Sequence, residues 1–75
     1  MRVRFTGTNG RLQKVSFTKL LRYEFDFSLE DAKRRTDALL EGKKFVIEAE
    51  NRERAEDLIR KARELGATCE LVHDQ

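Results

Sequence analysis

The sequence contains one cysteine, one histidine, no proline and no tryptophan. A disulfide within the chain needs two cysteines, so none is expected. Cys69 and His73 are too few ligands to hold a zinc ion, so no structural zinc site is expected either. No apolar run exceeds three residues, whereas a membrane-spanning helix needs about 20. The chain also opens without a charged and then apolar leader. We therefore expect a cytoplasmic location, no membrane partner and no cofactor.

Length and charge indicate one small folded domain. Seventy-five residues exclude a two-domain enzyme, so we treat residues 1–75 as a single unit. A chain of this size buries only about 60% of its unfolded surface, and its core is therefore thin. The net charge of +2 is unevenly distributed, because residues 1–44 hold 11 Lys and Arg against 6 Asp and Glu. This excess predicts an acidic partner for the amino-terminal half.

Three segments alternate polar and apolar residues and predict strands, at residues 2–6, 45–50 and 68–73. The side chains expected to face the core are Val3, Phe5, Phe45, Ile47, Ala49, Cys69 and Leu71. The turn residues Gly7-Thr8-Asn9-Gly10 are expected to end the first strand.

The segment after this turn fits two structures. Residues 11–17 can return as the second strand of a hairpin, in which Val15 pairs with Phe5. They can also begin a helix from Leu12 to Glu24, whose core stripe is Phe17, Leu20 and Leu21. We favour the helix, because residues 19–23 alone would form a helix too short to be stable.

Capping residues predict two further helices. Ser28 with Asp31 starts the second helix and Gly42 ends it, while Asn51 and Gly66 bound the third. The expected core residues are Leu29, Ala32, Thr36, Leu39 and Leu40 on the second helix and Ala55, Leu58, Ile59, Ala62 and Leu65 on the third. Pairs four apart, Glu56 with Arg60 and Asp57 with Lys61, predict a solvated opposite face on the third helix.

These elements predict an α+β fold of two layers in the order β-α-α-β-α-β. Three helices would cover one face of a three-stranded sheet. The first strand would lie antiparallel between the other two.

No residue pattern indicates an enzyme. Cys69 and His73 are four apart along one strand, about 13 Å from each other, so they form no catalytic dyad. The carboxylates lie at helix caps or on solvated faces, where nothing would tune them as an acid or base. Residues 7–10 lack the spacing of a phosphate-binding loop.

A candidate binding surface lies on the first helix. At about 100° per residue, its core stripe leaves Val15, Thr18, Lys19 and Arg22 together on the opposite side. Lys14 flanks this surface, and Lys33 of the second helix lies beside it. An exposed aliphatic side chain among cations fits an acidic, partly apolar protein partner.

Three segments resemble the carboxy-terminal domain of the bacterial ribosomal large-subunit stalk protein. They are residues 14–22 (KVSFTKLLR), 27–33 (FSLEDAK) and 63–72 (RELGATCELV), against family patterns K-V-x-x-I-K-x-V-R, L-x-L-K-E-A-K and E-x-A-G-A-x-V-E-V. The resemblance implies the same β-α-α-β-α-β fold. It also implies that a helical hairpin docks translational GTPases through the residues matching Lys14, Val15, Lys19, Arg22 and Lys33. Thr18 stands where the family has an exposed Ile, and Tyr23 where it has Gly.

Three alternatives remain open. Nucleic-acid binding would use Arg2, Arg4, Arg11, Lys14, Lys43 and Lys44, although Glu48, Glu50 and Glu70 share the sheet face with Arg2 and Arg4. The stretch from residues 40–42 through the third helix resembles a Clp-type protease adaptor, but that family's Asn-Asp-Asp signature is absent, because this chain has Thr8-Asn9-Gly10 there. Self-association would use Val46 and Val72 or a free strand edge. The sequence leaves the oligomeric state undetermined.

Overall fold

The periodic segments of the sequence form six elements. A computed structural model describes residues 1–72. In chain order the elements are β1 (Arg2–Thr8), α1 (Lys14–Glu24), α2 (Leu29–Leu40), β2 (Phe45–Glu48), α3 (Arg52–Glu64) and β3 (Ala67–Val72). The predicted α+β fold in the order β-α-α-β-α-β is confirmed.

The sheet places β1 in the centre. Its order is β2-β1-β3, and β1 is antiparallel to both neighbours. Phe5 lies opposite Phe45 on one side and Cys69 on the other. Val15 is therefore not its partner, and the helical interpretation of the segment after β1 is confirmed.

The core lies between the sheet and the helices. The ring of Phe5 stacks on Phe45 at 5.1 Å between centroids and meets Phe17 edge-on at 5.7 Å. Leu21 and Leu58 are fully buried with Phe5. Each such side chain contributes roughly 1.5–3 kcal/mol when it leaves water.

The first strand continues beyond its expected end. Gly7 and Thr8 pair with Thr68 and Ala67 of β3, after a register shift at Thr6. The bulge absorbs one extra residue, so pairing with β3 resumes where the turn was expected. Other predicted strand ends move by one or two residues, because β2 ends at Glu48 and β3 begins at Ala67.

The predicted helix caps are confirmed. The Ser28 hydroxyl accepts a hydrogen bond from the Asp31 N–H at 3.1 Å, and Asn51 Oδ1 accepts from the Arg54 N–H at 2.9 Å. The first helix differs, because it begins at Lys14 rather than Leu12 and the side chain of its N-cap residue, Gln13, makes no capping hydrogen bond within residues 1–72. The Gln13 N–H instead donates to the Leu65 carbonyl at 2.8 Å, which holds the residues before α1 against the end of α3.

One predicted ion pair on α3 is wrong. Asp57 binds Lys61 at 3.1 Å as expected, but it also binds Arg60. Glu56 instead reaches Arg52 at 3.6 Å. Hydrogen bonding to Lys61 lowers the pKa of Asp57.

Candidate functional site

A shallow groove of about 370 Å³ runs between α1 and α2. Its walls include all six residues predicted from the sequence, which are Lys14, Val15, Thr18, Lys19, Arg22 and Lys33. Four further residues, Tyr23, Leu29, Thr36 and Asp37, complete the lining. We refer to these ten residues as the hairpin groove.

The hairpin groove exposes three apolar side chains. Val15 is 68% exposed, Tyr23 is 67% exposed and Leu29 is 42% exposed. Such a cluster on a small domain provides apolar area that a partner can cover.

The prediction that Leu29 and Leu40 lie in the core is wrong. Leu29 is 42% exposed and Leu40 is 45% exposed. The buried residues of α2 are Ala32, Thr36 and Leu39. At 100° per residue, Leu29 and Leu40 lie roughly 50–70° around the helix from the mean direction of those three. This rotation turns Leu29 into the hairpin groove.

The floor of the hairpin groove is polar. Thr18 Oγ1 and Thr36 Oγ1 lie 2.8 Å apart across the interface between α1 and α2. Thr36 is 3% exposed, which confirms its predicted core position. Thr18 was predicted on the exposed side of α1, but it is half-buried. Thr18 is drawn inward because Thr36 offers its hydroxyl a partner at the same level.

The cations around the hairpin groove are not neutralised. Lys14, Lys19, Arg22 and Lys33 are exposed, and none forms an ion pair with a carboxylate within residues 1–72. The guanidinium of Arg22 lies 5.3 Å from the centroid of the Tyr23 ring. Asp37 is the one acidic residue of the lining.

Several cations elsewhere on the molecule are paired with carboxylates. On the outer sheet face, Arg2 lies 3.8 Å from Glu48 and Arg4 lies 3.5 Å from Glu70. The other residues of the predicted nucleic-acid set are dispersed, with Arg11 in the loop after β1, Lys14 at the hairpin groove, and Lys43 and Lys44 before β2. On the sheet face, a phosphate backbone would meet Glu48 and Glu70 beside Arg2 and Arg4, which weakens its attraction.

The buried thiol shows no reactive character. Cys69 is 5% exposed, and burial raises its pKa to about 11. His73, the other half of the dyad considered from the sequence, lies outside the described residues. Within residues 1–72, no group of three or more His, Cys, Asp or Glu side chains is placed to hold a metal ion. No helix in that range has the length and apolar character to cross a membrane.

Sequence reasoning missed four groove residues, which are Tyr23, Leu29, Asp37 and the core residue Thr36. Tyr23 follows Lys19 by four positions, a spacing that places both on one side of α1. Leu29 gave no such signal, since an apolar residue at the start of an amphipathic helix is normally assigned to the core.

Comparisons with protein-family models, curated proteins and solved structures find no match to this chain. The resemblance to the stalk protein's carboxy-terminal domain therefore stays a prediction. Function is inferred from the hairpin groove itself.

Proposed function

We propose that this domain is a non-enzymatic protein-binding module that holds an acidic, amphipathic helix of a partner protein in the hairpin groove. One observation carries the proposal. Four exposed cations without intramolecular ion pairs among residues 1–72 surround three exposed apolar side chains in a single groove. Such a surface complements a helix with apolar residues on one side and carboxylates at its margins.

The two kinds of residue have separate roles in binding. Val15, Tyr23 and Leu29 supply apolar area, which stabilises the complex at about 25 cal/mol per Å² removed from water. The cations raise the association rate and reject basic partners. Because they are solvated, their contribution falls as salt is added.

The finer identity of the partner rests on the resemblance to the ribosomal stalk domain. That resemblance supports a translation-related partner, because the family docks translational GTPases on the same helical hairpin. Thr18 replaces the family's exposed Ile, and its bond to Thr36 makes the centre of the groove more polar. The partner's apolar contacts would then concentrate on Val15, Tyr23 and Leu29.

A matched pair of peptides tests the proposal. The probe is a helical peptide of about 18 residues, long enough to retain helicity, with Leu on one side and Glu at its margins. The matched peptide carries Lys in place of Glu. We expect fluorescence anisotropy to show binding of the acidic peptide alone, weakening with added salt.

Charge-reversal variants locate the binding surface. The double variant Arg22→Glu, Lys33→Glu should lose binding of the acidic peptide. The control Arg11→Glu, Lys44→Glu has the same change in net charge outside the groove and should retain it. Equal loss in both variants would show attraction by net charge alone and would contradict the proposal. Binding of RNA by the domain, lost only in the control variant, would favour the nucleic-acid alternative.

A further inference from the structure

Charge is unevenly distributed along the hairpin groove. The hydrogen bond between Thr18 and Thr36 shows that these two residues lie at the same height along the helix pair. The short connection at residues 25–28 makes α1 and α2 antiparallel. At about 1.5 Å per residue, Arg22 lies about 6 Å from this level toward the connection. By the same rise, Lys33 lies about 4.5 Å from it on the same side.

The two halves of the groove therefore differ in net charge. The half toward the connection holds Lys19, Arg22 and Lys33 and no acidic lining residue. The other half holds Lys14 and Asp37, so its net formal charge is zero although no ion pair joins the two side chains. Asp37 forms no ion pair within residues 1–72, so its carboxylate remains available to repel a ligand.

Apolar side chains occupy both halves. Tyr23 lies in the cationic half with Leu29, whereas Val15 lies in the neutral half. Val15 and Tyr23 are eight residues apart on α1, a distance of about 12 Å. Two apolar residues separated by two turns of a partner helix span the same distance.

We propose that the hairpin groove binds its helix in one orientation, with the acidic end over Arg22 and Lys33 and an uncharged, apolar end over Val15 and Asp37. This inference rests on the proposed function and adds to it the residues that set the orientation of the bound helix. A carboxylate placed beside Asp37 would meet a like charge as water leaves the interface, which disfavours the reversed orientation. Asp37 is thus a specificity-determining residue.

Paramagnetic labelling of the peptide tests the orientation. Two helical peptides share the same Leu positions, one with Glu confined to its amino-terminal half and the other with Glu confined to its carboxy-terminal half. Each carries a nitroxide at its Glu-rich end, and the protein is labelled with ¹⁵N. We expect both peptides to broaden the amide signals of Tyr23 and Leu29 more strongly than those of Val15 and Asp37.

The outcomes separate the two proposals. Equal broadening at both ends, or broadening at Val15 and Asp37, would overturn the single orientation while leaving the groove as the binding site. Failure of every acidic peptide to perturb groove residues would overturn the proposed function, and the orientation with it.

A charge-neutral variant tests the role of Asp37. With a peptide carrying Glu in both halves, Asp37→Asn should tighten binding about threefold, a change typical of one exposed charge interaction. The peptides with Glu in one half should change much less. Glu53→Gln, which removes an equal charge from α3, serves as the control. An equal gain in both variants would show that net charge, and not Asp37, sets the preference.

Discussion

The hydroxyls of Thr18 and Thr36 meet at 2.8 Å across the interface between α1 and α2. Each also lies within hydrogen-bond distance of the carbonyl four residues earlier, at Lys14 and Ala32 respectively. Two hydroxyl hydrogens are thus available for three close oxygen–oxygen contacts. One hydroxyl donates to its own helix and the other donates across the interface, so the pair links the two walls of the groove.

A double-mutant cycle on this pair should reveal coupling. Thr18→Val and Thr36→Val each remove one hydroxyl while retaining the branched shape. The bond between the hydroxyls is lost in either single variant, so the double variant should be more stable than the two separate losses predict. We expect a coupling energy of about 0.5–1.5 kcal/mol from urea unfolding. Strictly additive losses would contradict the shared bond.

The turn between α3 and β3 should tolerate no side chain at Gly66. A Cβ there would lie 2.6 Å from the Arg11 carbonyl oxygen, and the residue has φ +102°. Gly42 provides the control, because it also follows a helix with positive φ (+78°), but a Cβ at this position would meet no atom of residues 1–72 within 4 Å. Gly42→Ala should cost about 1 kcal/mol of unfolding free energy from backbone strain.

Gly66→Ala should cost at least about 2 kcal/mol more than this control, since the clash adds to the strain. Thermal or urea unfolding of the two variants measures the difference. Equal losses would show that the loop before α1 yields easily and does not anchor that helix.

Burial of Cys69 should make stability fall at alkaline pH. Its pKa is raised from 9.0 to about 11 in the folded state because burial disfavours the thiolate. The unfolded thiol ionises first, so the stabilising contribution is complete below pH 9.0 and is lost as pH rises toward about 11. The full effect is on the order of 3 kcal/mol.

The variant Cys69→Ala lacks the thiol but keeps every lysine and tyrosine. The difference between the wild-type and variant pH profiles therefore reports the titration of Cys69 alone. We expect the wild-type protein to lose more unfolding free energy than the variant between these two pH values. Parallel pH profiles would show that the thiol is solvated. At neutral pH, the buried thiol should also react slowly with a disulfide reagent, since the thiolate is the reactive form.

Local sequence signals predicted the elements and their order. The side chains of Ser28 and Asn51 each accept a hydrogen bond from the backbone N–H three residues later. Because this interaction is local, it does not depend on the surrounding tertiary structure. The alternation around Val3 and Phe5 likewise determines which face of β1 is buried. The helical period of Phe17, Leu20 and Leu21 fitted α1 but did not exclude a hairpin strand, and the helix was favoured because residues 19–23 alone would be too short to be stable.

Features that depend on neighbouring elements were not predictable in the same way. Periodicity defines an apolar side of α2 but not its rotation against α1, and this rotation exposes Leu29. The position of Thr18 depends on Thr36, which lies 18 residues away. The bulge at Thr6 depends on pairing with β3, and no local residue pattern marked it.

The map of amide chemical shifts on adding the acidic helical peptide tests the central claim most directly. With ¹⁵N-labelled protein at low ionic strength, we predict that the changes concentrate in α1 and α2 around Val15, Arg22 and Lys33. Changes concentrated on the outer sheet face, around Arg4 and Val46, would contradict the assignment of the hairpin groove as the binding site.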